Sequence, residues 1–76
     1  MTAELVREAS HDGKWVALIR CFDGEGGTSI VEAEVTPVGG GDPIRRGPYT
    51  FSTAHEAFRF MQEAVLTLQY LGCAIG

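Results

Sequence analysis

One stretch alone, Thr53 to Gly72 (TAHEAFRFMQEAVLTLQYLG), has the length and spacing of a long helix. This limits the fold before any other feature is considered. Ala54, Ala57, Phe58, Met61, Ala64, Val65, Leu68 and Leu71 recur at intervals of three and four, which predicts one apolar stripe. A single amphipathic helix needs a partner surface, and the residues before it can supply only a small sheet. Thr53 is placed to N-cap the helix, with Glu56 completing a capping box, and Gly72 is placed to stop it. The outer face carries His55, Glu56, Arg59, Gln62, Glu63 and Gln69. Leu66 and Tyr70, four apart, interrupt it, and Phe60 lies at the border of the stripe.

The preceding residues read as strands divided by turns. Residues 3–10 alternate weakly and would also suit a two-turn helix; the Asp12-Gly13 pair that follows, preferred in tight hairpins, favours a strand. Lys14 to Phe22 is rich in β-branched and aromatic residues and too short for a helix. Its two faces, Trp15/Ala17/Ile19/Cys21 and Val16/Leu18/Arg20/Phe22, are both apolar in character. After the glycine-rich turn at 23–27, Thr28 to Val38 alternates cleanly, Val31, Ala33 and Val35 against Ile30, Glu32, Glu34 and Thr36, with Pro37 ending the pairing or marking an edge. A triple-glycine turn, expected to be mobile at its tip, leads into Ile44 to Phe51. There Gly47-Pro48 predicts a bulge or kink, and Tyr49 and Phe51 are the packing residues.

No repeat, linker or low-complexity tract divides the chain, so residues 1–76 are expected to form one domain. The fold class is α+β, a two-layer antiparallel β-meander of three to four strands packed by one C-terminal helix, in β-β-β-β-α order. In element order the chain resembles the β-β-β-β-α units of the single-strand-binding coactivator, Whirly and Pur families. That resemblance implies pairing as a dimer.

Dimerisation also follows from size and pattern. Seventy-six residues bury a small core, and chains below roughly 80 usually need help from disulfides, metal or oligomerisation. Two cysteines form neither a disulfide framework nor a zinc site, which leaves oligomerisation. Val16, Leu18, Phe22, Ile30, Leu66 and Tyr70 have no cover in a two-layer domain and are the candidate interface. The chain is expected to be a cytoplasmic, unprocessed homodimer with reduced thiols, acting as a non-enzymatic binding or regulatory module. Another protein is a further candidate partner.

Single-stranded nucleic-acid binding through the sheet is the alternative function. Arg45 and Arg46 would meet phosphates and Tyr49 would stack on bases. The net charge of −4 opposes it, because phosphate neutralisation supplies most of such affinity. The absence of a long apolar run argues against a membrane role. The glycine clusters lack the Lys-Ser/Thr ending and following helix of a phosphate loop, so they read as hairpin turns. No spacing ties His11 or His55 to a carboxylate and a nucleophile as a triad requires. A metal site from His11, Asp12, Asp23 and Glu25 would need residues from opposite ends of one strand. No catalytic residue, metal or cofactor is therefore expected. A small-molecule pocket between sheet and helix ranks third.

Overall fold

The computed structural model describes residues 4–37 and 40–76. Strands β1 (Glu4–His11), β2 (Lys14–Asp23), β3 (Ser29–Val35) and β4 (Ile44–Phe51) form an antiparallel meander, followed by helix α1 (Ala54–Tyr70) and a short strand β5 (Ala74–Ile75). The sheet order is β4-β3-β2-β1-β5. The expected α+β two-layer fold is present, and its strand number is five rather than three to four. The additional strand comes from the apolar tail: Ala9 pairs with Ile75 and Ser10 with Ala74, and Glu8 and Gly76 exchange backbone hydrogen bonds at 2.8 and 3.3 Å.

Local chemistry places each element. Asp12 (φ 53°) and Gly13 (φ 75°) both adopt left-handed angles, which closes the β1–β2 hairpin as the Asp-Gly pair predicts. β3 ends at Val35, one residue before Thr36, whose N–H still reaches the Val16 carbonyl at 2.8 Å; Pro37 cannot continue the ladder. The expected extension to Val38, the turn tip at Gly39 and the start of the first strand at Ala3 lie outside the described residues. The predicted irregularity in β4 is present, since the β3–β4 register shifts between Val31 and Ala33, opposite Gly47-Pro48. A side chain at Gly47 (φ 91°) would lie 2.9 Å from the Val31 carbonyl, so only glycine fits this close approach.

The helix leaves one edge of the sheet and delivers the chain to the other. Its 17 residues span about 26 Å, enough to cross the four gaps of a five-stranded sheet, which add to roughly 19 Å. Thr53 caps it by accepting from the Glu56 N–H at 3.2 Å. The capping box differs from expectation in its return half: the Glu56 carboxylate accepts from the hydroxyls of Thr53 (3.3 Å) and Ser52 (3.2 Å). At the other end, Gly72 (φ 94°) forms a Schellman stop, with its N–H on the Gln69 carbonyl and that of Cys73 on Leu68, both at 3.0 Å.

The core lies between α1 and one sheet face. Ile19, Val31, Ala57 and Met61 are buried at its centre, with Leu5, Cys21, Ala33, Phe51, Ala64, Val65 and Leu68 packed around them. The stripe is narrower than its sequence pattern: Ala54 and Leu71 at the helix ends are exposed, and Phe58 is 42% exposed on one flank. Small side chains at Ala17, Ala33 and Ala57 let the helix approach the sheet closely.

Candidate functional site

Pairing register fixes which side chains share the face of the sheet that no described element covers. One row across it reads Glu4, Phe22, Ile30, Thr50; the next Val6, Arg20, Glu32; the next Glu8, Leu18, Glu34, Arg45. Val16 follows beside Thr36. Four of the six candidate interface residues, Val16, Leu18, Phe22 and Ile30, are thus brought together on one face, each half-buried by its neighbours. The other two belong to the opposite layer. Leu66 (62% exposed) borders the flank of α1 that faces β1, and Tyr70 (90% exposed) projects from the helix near its end.

The open face alternates apolar and charged rows. Arg20 binds Glu4, Nε to Oε1 at 2.8 Å, and its guanidinium lies 5.3 Å from the centre of the Phe22 ring. The hydrogen bond and charge of Glu4 push the Arg20 pKa up, with burial opposing and Glu32 adding to the rise. Arg20 is held in place between Glu4 and Glu32, with Phe22 and Ile30 to one side and Leu18 and Val16 to the other. Sequence reasoning set Glu32 on one face with Ile30 but did not assign Glu4 and Val6 to this face. The alternation of β1 was too weak to orient it, and the register to β2 carries the missing information.

The alternative nucleic-acid set does not converge. Arg45 pairs with Glu34 on the open face, whereas Arg46 pairs with Ala33 and Tyr49 with Val31 on the helix side. The Tyr49 and Phe51 rings pack against Phe60, with centroids 5.4 and 5.3 Å apart, which accounts for both aromatics structurally.

Other chemistry-bearing groups are dispersed. His11 and Asp23 stand at opposite ends of the ten-residue β2 ladder, on the order of 30 Å apart. His11 Nδ1 lies 3.2 Å from the Gly72 carbonyl, beside the negative end of the helix, and its Nε2 lies 3.4 Å from Asp12. Among the described residues no cluster of three His, Cys, Asp or Glu side chains could hold a metal ion. Cys21 and Cys73 are both free. Burial, then the charge of Asp23, pushes the Cys21 thiol pKa up, which disfavours the nucleophilic thiolate. Among the described residues no helix is long and apolar enough to cross a membrane.

The two flanks of the helix meet the sheet differently. On the β4 side Phe60 fills the angle between helix and sheet by packing on Tyr49 and Phe51. On the β1 side a trough of about 220 Å3 remains between α1 and the Leu5–Arg7 stretch. The molecule is thus a five-stranded α+β sheet-and-helix domain with one open sheet face and one open helix flank. No family model, curated protein or solved structure matches the chain.

Proposed function

We propose that the chain is a cytoplasmic, non-enzymatic binding module that works as a homodimer paired through the open face of its sheet. The observation that carries this reading is the second face of β2. Val16, Leu18 and Phe22, with Ile30 beside them, have no cover from any described element, in a domain whose own core is centred on only four buried residues. Charge pattern supports a partner with the same surface. A two-fold axis running along the strands between β2 and β3 sets each Arg20 over the partner's Glu32 and each Phe22 over the partner's Ile30, an isologous arrangement that is self-complementary. The dispersed histidines and the rise in the Cys21 pKa support a binding rather than a catalytic role.

The experiment is a solution mass by sedimentation at micromolar concentration, on the native chain and on Leu18→Glu. The native chain is expected at twice 8.2 kDa. Leu18→Glu, which brings a carboxylate against the partner's Glu34, is expected at 8.2 kDa with unchanged circular dichroism. A native monomer refutes the pairing, and a folded Leu18→Glu dimer refutes the assignment of this face.

A further inference from the structure

We propose that the trough between α1 and β1 binds a free, medium-chain carboxylate, with the Arg7 guanidinium taking the head group and the apolar tail lying along the helix. The trough is built by an asymmetry in how the helix packs. Phe60 packs one flank of α1 onto Tyr49 and Phe51, whereas on the other flank a trough remains beside Leu5 and Arg7 of β1. Its walls are Leu5 from the sheet and Phe58, Met61, Val65 and Leu66 from the helix. It is open to ligand because Phe58 and Leu66 are exposed, and it adjoins a shallower hollow of about 550 Å3 past Leu5 and Phe58, where Cys21 and Phe22 lie. The trough of about 220 Å3 is too short for a long chain, and the hollow that adjoins it past Phe58 leaves room for a tail of medium length.

Charge identifies the head group. Arg7 and Gln62 are the two polar side chains lining the trough. Of the five N–H donors of Arg7, one contact is made, from Nη1 to the neighbouring Val6 carbonyl at 3.2 Å. Among the described residues no carboxylate pairs with Arg7, whereas Arg20 on the other face of the sheet is taken by Glu4. An unopposed guanidinium at the side of an apolar trough, in a chain of net charge −4, selects an anionic head joined to an apolar body. The Gln62 amide can donate to the same head group from the opposite wall. This site belongs to the helix layer and stays open in a dimer paired through the other face of the sheet.

The test is a titration of the native protein with decanoate, decanol and decyltrimethylammonium, each below its micelle-forming concentration, followed by two-dimensional NMR. Decanoate is expected to bind saturably, with shifts centred on Leu5, Phe58, Val65 and Leu66, and to bind about two- to fivefold more tightly than decanol. Arg7→Gln should remove that margin and leave decanol binding as it was. Gln62→Glu, an exposed helix position that leaves the sheet untouched, should weaken decanoate further than decanol. Equal binding of all three probes, binding of none, or decanoate affinity unchanged in Arg7→Gln overturns the proposal. So do concentration-dependent shifts confined to the trough without any probe, which would make a second copy its occupant. The mass of the native chain is read separately, so failure here and failure of the sheet pairing are distinguishable.

Discussion

The two faces of the sheet are drawn from the same strands and are built differently. On the covered face Ala9, Ala17, Ile19 and Val31 are buried and close to uniformly apolar. On the open face Leu18, Phe22 and Ile30 are larger on average but only half-buried, and they are separated by Arg20, Glu32 and Glu34. Size alone does not make a core. Small residues that admit a helix exclude water more completely than large residues that nothing covers. The difference teaches that a two-faced apolar strand can carry its stability on one side and its recognition on the other.

Neighbouring residues of β2 give the largest test of that division. Ile19→Ala on the covered face is expected to lower stability by about 2–5 kcal/mol, a large part of the roughly 5–15 kcal/mol a domain has, and so to leave the chain partly or wholly unfolded. Leu18→Ala, one residue away, is expected to cost less than half as much in urea melts at nanomolar concentration. At high micromolar concentration its cost should grow, because pairing stabilises the native state only where the partner is present. Equal costs for the two substitutions at every concentration would break the comparison.

The helix ends give a smaller and cleaner effect. Thr53→Ala removes the cap on the Glu56 N–H, and Gly72→Ala forces a Cβ into the left-handed stop; each is expected to cost about 1 kcal/mol. Both act on the layer that covers the sheet. Thermal melts should therefore shift while the solution mass stays as in the native chain. A change of mass in Thr53→Ala would mean that α1, and not the open face, sets the assembly.

Much of this arrangement was legible in the sequence, where periodicity is local. The period-2 runs gave β2 and β3, the Asp-Gly pair gave the hairpin, and Thr53 and Gly72 gave both ends of α1 within a residue. β5 was illegible because two residues have no period; Ala74 and Ile75 become a strand only through backbone pairing with Ser10 and Ala9, more than sixty positions away. The split of Arg45 from Arg46 follows from strand alternation, yet the placement of Tyr49 beside Arg46 on the helix side does not. Three positions apart they should face oppositely, and the register shift at Gly47-Pro48 returns them to one face. The trough depends on how α1 meets the sheet, with Phe60 against Tyr49 and Phe51 on one flank and Leu5 and Arg7 beside the other, contacts between elements that no single-helix pattern encodes.

The smallest predicted effect sits where the covered face meets its open border. Cys21 packs against the core and also lines the hollow past Leu5 and Phe58. Burial and Asp23 hold its thiol pKa above the ordinary value, so folding favours the neutral form. The unfolded chain therefore ionises first. The stability that the neutral thiol contributes is fully present below the ordinary thiol value, and it is lost as pH rises through the higher value of the folded state. Urea midpoints should fall modestly across that alkaline window in the native chain and less in Cys21→Ser, after subtraction of the change that both share. Alkylation by iodoacetamide should label Cys21 more slowly than an unstructured peptide thiol at pH 8, because less thiolate is present. An alkaline loss of equal size in Cys21→Ser would place its cause at another group. Labelling as fast as the free peptide would show that the border between the faces is more open to water than the packing of Cys21 against the core allows.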